Sequence, residues 1–268
     1  MTSSPDILIR RDKLIVLAAV SLVVLAAVFY TLLGVGMSMS SIDMTRMTYS
    51  MPDMMMRPAS WTPVYALLVF FMWWVMMIAM MLPSATPAIL LFTGIVRKRQ
   101  TDRHPYFAVA WFVLGYLLVW ASFSALATLL QWGMQQAGRL SGLMDLVSRP
   151  WAAMVLIIAG LYQFTPLKNA CLNHCQHPLF FMIHHWRSGS SGALQMGMGH
   201  GLYCLGCCWF LMLLLFVGGV MNLFWIAGIA LYVAIEKLAG NIAWISRVMG
   251  VVLTCSGIWL LAEFYLLS

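Results

Sequence analysis

The chain has 268 residues, 63% of them hydrophobic and 9% charged, with a mean hydropathy of +0.90. A soluble domain carries roughly 25% charged and 45–50% apolar residues, so a water-soluble globule is excluded, and disorder and nucleic-acid binding with it. The net charge of +7 lies in short segments between apolar runs, where Lys and Arg set membrane orientation.

Taken in order, the apolar runs predict an all-α bundle of seven transmembrane helices over residues 14–36, 63–95, 106–132, 151–167, 197–220, 221–238 and 248–267. Together they form one integral membrane domain, 1–268. Six spans result if the short fourth run, or the tightly joined fifth and sixth, is re-entrant. The first run is too long for a signal-peptide core and lacks a small-x-small cleavage site, so it reads as a permanent helix. The second run, 33 residues interrupted by Pro83 and Pro87, is longer than the roughly 30 Å hydrocarbon core requires, and is expected to kink or end near Pro83. Seven spans put 11 Lys and Arg on the N-terminal side and 4 (Arg46, Arg57, Arg139, Arg149) on the other. This bias predicts a cytoplasmic N-terminus. The largest connections are residues 37–61 outside and 168–196 inside.

Methionine is the compositional outlier, at 23 residues. The outer connection carries Met37, Met39, Met44, Met47, Met51, Met54, Met55 and Met56, interspersed with Asp43 and Asp53. Thioether sulfur is a soft, neutral ligand that prefers Cu(I) to Zn(II), Mg(II) or Ca(II). The bland alternative is adaptable apolar filler folded back on the membrane. In the second span Met72, Met76 and Met80 recur every four residues, with Met77 and Met81 beside them. On a helix this spacing is a stripe.

The fifth span carries His200, Cys204, Cys207 and Cys208 at i, i+4, i+7 and i+8, one helical face with an imidazole and three thiols. Gly197, Gly199, Gly201 and Gly206 on the same run let a neighbouring helix approach closely. A histidine inside a membrane is a functional hypothesis by default, whereas a buried cysteine can simply pack. A third cluster, C-L-N-H-C-Q-H-P from Cys171 to Pro178, lies in the inner connection with His184 and His185 after it. If that segment is helical, Cys171, His174 and Cys175 share a face whose ligands suit Cu(I) or Zn(II). Cys255 stands alone in the last span and reads as packing. Glu236 and Lys237 most simply mark the cytoplasmic end of the sixth span, Lys168 an interfacial anchor, and Glu263 a snorkelling side chain. No G-x-S-x-G, H-E-x-x-H, P-loop or dinucleotide fingerprint is present.

At these motifs the chain resembles a bacterial family of predicted metal-binding integral membrane proteins of unassigned function. The resemblance is carried by W-W-V-M-M-I-A-M-M-L-P-S-A-T-P (Trp73 to Pro87), Y-Q-F-T-P-L-K-N-A-C-L-N-H-C (Tyr162 to Cys175) and G-x-x-C-L-G-C-C-W-F-L-M (Gly201 to Met212). G-G-V-M-N-L (Gly218 to Leu223) and the pair Glu236 and Lys237 extend it. It covers residues from about 60 to 268 and implies an all-helical membrane domain with suspected metal binding, but supplies no reaction.

The residues themselves lead to a Cu(I)-binding protein for copper uptake, delivery or homeostasis, with zinc as the second candidate metal. The expected ligands are His200, Cys204, Cys207, Cys208, Cys171, His174, Cys175, Met76, Met77, Met80 and Met81. Affinity would rise inward, because thiolate binds Cu(I) more tightly than thioether. The expected partners are the lipid bilayer and a metallochaperone or cuproenzyme, with oligomerisation open. Two alternatives stand beside this reading: a membrane oxidoreductase using copper or thiol-disulfide exchange, and a non-catalytic subunit of a larger membrane complex.

Overall fold

Long apolar segments can satisfy their backbone groups in a bilayer only as helices or as a closed barrel. In this computed structural model, which describes residues 5–35, 37, 39–50, 60–99, 105–141, 144–146, 148–240 and 243–267, the described chain is helical apart from turns and one isolated bridge, Leu140–Leu146. The helices are α1 (Pro5–Leu33), α2 (Ser41–Ser50), α3 (Pro63–Arg99), α4 (Pro105–Gln136), α5 (Arg149–Tyr162), α6 (Pro166–Gln176), α7 (Pro178–His184), α8 (Gly189–Leu213), α9 (Leu215–Gly218), α10 (Leu223–Leu238) and α11 (Ala243–Leu267).

Five segments are long and apolar enough to cross a membrane: Arg11–Leu33, Pro63–Arg99, Tyr106–Gln136, Gly189–Gly218 and Trp244–Leu266. A sixth forms if α5 and α6, which meet at a 65° bend, count as one broken span. The sixth expected span, 221–238, is not matched by a helix of full length. Its segment, α10, has 16 residues, which at about 1.5 Å per residue falls short of a roughly 30 Å core. The expected run 151–167 is likewise cut, because Thr165 caps α6, accepting from Lys168 N, and Pro166 opens it.

The second run does not end at Pro83. Helix α3 continues through Pro83 and Pro87 for 37 residues. Neither proline supplies the N–H that a helix would donate four residues back. Nearby hydroxyls crowd the same turns: Ser84 Oγ and Tyr116 OH donate to Met81 O at 2.9 and 3.1 Å, and Thr86 Oγ1 to Leu82 O at 3.1 Å.

Helix α8 lies at the centre because glycine admits its neighbours. A Cβ built on Gly197 would fall 1.9 Å from Phe112 O of α4, so the two backbones touch there as expected of small residues at membrane helix interfaces. Large apolar side chains such as Leu22, Leu25, Leu126 and Trp259 point outward, an arrangement suited to lipid and costly in water.

Contacts sort the helix ends into two groups. At one end Asp12 of α1 pairs with Arg97 of α3 (2.5 Å) and accepts from Tyr106 OH of α4 (2.5 Å), while Arg99 lies 4.5 Å over the Trp186 ring that precedes α8. At the other, Thr45 Oγ1 of α2 accepts from Leu223 N, Leu146 N donates to Phe216 O, and Arg149 pairs with Glu263 at 3.0 Å. Glu263 is thus ion-paired, not merely snorkelling.

Candidate metal centre

The methionine stripe of α3 faces the protein interior. Met72, Met76, Met77, Met80 and Met81 are each no more than 3% exposed, and they share one core with Met44, Met196, Met212 and Met221. That face continues through Val69, Trp73, Ile89 and Phe92, so one side of α3 is buried along its length. Of the outer methionines, Met44 is buried, and Met37, Met39 and Met47 are half-buried on or before α2. Met51, Asp53, Met54, Met55 and Met56 lie outside the described residues. Asp43 is engaged locally, accepting from Ser40 Oγ at 2.6 Å.

On α8 the predicted face is real: His200, Cys204, Cys207 and Cys208 are all buried. The thiols of Cys207 and Cys208 each donate to Cys204 O at 3.0 Å, and Cys208 Sγ lies 3.9 Å from Met81 Sδ. Tyr116 OH, from α4, is 3.1 Å from Cys204 Sγ. With its single proton on Met81 O, the phenol oxygen is left to accept from the thiol. Two elements distant in sequence, α3 and α8, therefore meet sulfur to sulfur.

The inner cysteines join the same centre. The segment is helical (α6) and docks on α8, and Cys171 and Cys175 pack against the same core that holds the α8 thiols. A Cβ on Gly206 would stand 2.7 Å from Cys171 Sγ, so this glycine is what allows α6 so close. The expected separate inner cluster thus merges with the fifth-span cluster. His174 does not follow its two cysteines: its ring stacks on Tyr203 (centroids 4.1 Å, 3° between planes), with Nδ1 on Ala170 O at 2.8 Å. His184 and His185 bind the backbone carbonyls of Phe180 and Phe181 in the same manner. His200 sits between the Phe112 and Tyr116 rings (6.1 and 6.0 Å), and among the described residues its buried Nδ1 has no hydrogen-bond partner. All six cysteines are free, with Cys255 exposed and remote in sequence from the rest.

Two buried lysines were assigned elsewhere from sequence. Lys237 does not mark a helix end at the water interface. It is buried, and Nζ is 2.9 Å from Cys204 Sγ and 4.0 Å from both Cys208 Sγ and Met81 Sδ. Lys168 is no interfacial anchor: it is fully buried, its Nζ pairing with Glu236 Oε1 and contacting Gln163 Oε1. Tyr232 OH (2.9 Å) and Ser246 Oγ (2.5 Å) also donate to Glu236 Oε1. The signal available for Lys237 was its place beside Glu236 at the end of an apolar run. Tyr116 gave none, since a tyrosine in an apolar helix is ordinary.

Among the described residues, no three His, Cys, Asp or Glu side chains are grouped as ligands of one metal ion. The cluster here is of another composition, thiols with a thioether. Soft sulfur of both kinds suits Cu(I), and thiolate suits zinc as well.

The model of one protein family, PpoB2, described as a copper chaperone, matches residues 70–260. That stretch is more than half of the chain and includes the whole Met81–Cys175–Cys204–Cys208–Lys237 centre, and the chain belongs to this family. No curated protein and no solved structure matches it. Membership supports a copper-related role.

Proposed function

We propose that this member of the PpoB2 family is an integral membrane protein that binds Cu(I) at a buried sulfur centre and delivers it. The ligands are Met81, Cys204 and Cys208, with Cys175 and Cys207 as exchange partners. The observation that carries this reading is the 3.9 Å separation of Met81 Sδ and Cys208 Sγ. Three sulfurs around one ion at about 2.3 Å, the usual metal–thiolate distance, stand about 4 Å from each other. Loading turns the Cys208 thiol away from Cys204 O, and Cys204 and Cys208 each release a proton to solvent as they bind, since the thiolate is the ligand.

The direction of delivery follows from ligand chemistry. The N-terminus lies in the cytoplasm of a bacterium and the protein in the inner membrane, so α2 and Met44 face outward. Copper moves from the outer methionines, along the interior face Met72–Met76–Met80, to the thiols. It leaves through Cys175 and Cys171 on α6, the two cysteines that are only partly covered in the structure. The passage from the methionines to the cysteines exchanges weaker thioether for stronger thiolate. His200 caps the centre with an unpartnered nitrogen; His174, turned out onto Tyr203, contributes at the exit and not in the centre. The reading is of a binding protein and not an enzyme.

The test is copper content after anaerobic Cu(I) loading of the full chain in nanodiscs, with X-ray absorption of the bound metal. The expected result is about one Cu(I) per chain in an all-sulfur shell, lost in a C204S/C208S variant and kept in C255S. Absence of Cu(I) from the wild-type chain overturns the proposal.

A further inference from the structure

The ammonium of Lys237 is in contact with the three sulfurs that the copper reading assigns to the metal. Its distances are 2.9 Å to Cys204, 4.0 Å to Cys208 and 4.0 Å to Met81. The residue is 5% exposed and, among the described residues, forms no ion pair with a carboxylate. The neighbouring Glu236 cannot serve, because successive helical residues point about 100° apart and its carboxylate is already held by Lys168, Tyr232 and Ser246. A buried cation inside a membrane protein is retained only where something compensates it. Here the ammonium is met by sulfur lone pairs, those of Cys204 closest.

We propose that Lys237 is a built-in monovalent cation that occupies the sulfur pocket when Cu(I) is absent and must withdraw for the metal to seat. The inference rests on the copper-binding reading and adds a residue that sets the affinity and release rate of that site. Two cations cannot share one pocket: a Cu(I) held by these sulfurs would lie within about 4 Å of Nζ, where like charges in a medium of low dielectric repel strongly. The lysine can leave at low conformational cost. It sits one residue from the end of α10, ahead of Gly240 with φ +71°, and its four-carbon stem lets the ammonium swing toward the nearer helix end. Returning, the ammonium helps drive Cu(I) off the thiolates, which turns a trap into a delivery site.

The experiment compares wild type, K237L and K237Q full-length chains in nanodiscs by Cu(I) competition with a chromophoric chelator, reading both Kd and the dissociation rate. When the competent form is a fraction of the population, apparent affinity falls by that fraction, so removing the occupant is expected to tighten binding about tenfold or more and to slow release. Equal or weaker binding by both variants, with wild type binding normally, overturns the proposal and leaves the copper site standing. If neither wild type nor variant binds Cu(I), the copper reading itself fails and this inference falls with it. A second measurement uses the wild-type chain alone, so it does not depend on the variants folding: modification of Lys237 by a membrane-permeant amine reagent, located by mass spectrometry. Cu(I) loading is expected to raise it several-fold; unchanged or lower modification overturns the proposal.

Discussion

Lys237 Nζ lies 2.9 Å from Cys204 Sγ, joining the end of α10 to the middle of α8. The contact gives Cys204 a different role from its neighbours on the same helical face. Cys207 and Cys208 point their thiols at a backbone carbonyl, while Cys204 meets an ammonium and a phenol. In C208S the remaining ligands are one thiol and one thioether, and in C204S the lysine loses its sulfur partner as well. Cu(I) affinity is expected to fall by about a hundredfold or more in each, since soft thiolate is exchanged for hard oxygen. The C204S chain is expected to be the less stable of the two. Chelator competition together with thermal unfolding checks both statements, and an unaffected C208S sinks the ligand assignment.

Met81 and Met76 are one turn and a little more apart on α3, yet they are expected to behave differently. Met81 is 3.9 Å from Cys208 Sγ and belongs to the centre; Met76, fully buried, lies nearer the end carrying α2. M81L keeps volume within a methylene and removes the sulfur, so folding is preserved while Cu(I) binds about tenfold more weakly. M76L leaves the equilibrium Kd unchanged and slows loading from the outer side. Stopped-flow loading with the chain oriented in proteoliposomes separates the two; a Kd effect of M76L equal to that of M81L would argue against an ordered path.

What could be read from sequence was periodic. Spacing at i, i+4, i+7 and i+8 placed His200, Cys204, Cys207 and Cys208 on one face, and the four-residue recurrence placed Met72, Met76 and Met80 on another; both faces are buried. Which faces meet is decided by docking, and docking leaves little trace in a single sequence. Nothing in C-L-N-H-C tells that Gly206 will admit Cys171 while Tyr203 draws His174 out of the cluster. The charged residues misled for a related reason. A Lys at the end of an apolar run usually snorkels, and only the fold reveals that Lys168 and Lys237 turn inward instead. The seven-span count foundered on α10, whose composition is that of a span but whose helix is short.

The pair Lys168–Glu236 is fully desolvated, so its two members should not be separable without cost. E236Q leaves Lys168 buried and unpaired, expected to destabilise the chain by about 3–5 kcal/mol. The double variant K168M/E236M removes both charges and replaces them with apolar groups of similar length. It is expected to recover most of that loss, because an apolar pair often matches a buried ion pair. Reversible unfolding in mixed micelles measures all three chains. Equal destabilisation by single and double variants would mean that the pair contributes packing and not charge.

Gly206 offers the most local test of whether α6 and α8 form one centre. A Cβ at this position would lie 2.7 Å from Cys171 Sγ, the end of a short but movable side chain. G206A therefore pushes against α6, an overpacking expected to cost about 1–3 kcal/mol. Because Cys175 sits one turn along the same helix and packs against the core that holds the α8 thiols, the push should also loosen the thiol cluster. Weaker Cu(I) binding is expected together with faster alkylation of Cys175. Truncating the opposing side chain removes the clash, so C171A is expected to rescue G206A in stability and in Cys175 protection. A rescue of this kind cannot arise if α6 merely hangs at the membrane surface, since the two positions would then not be coupled.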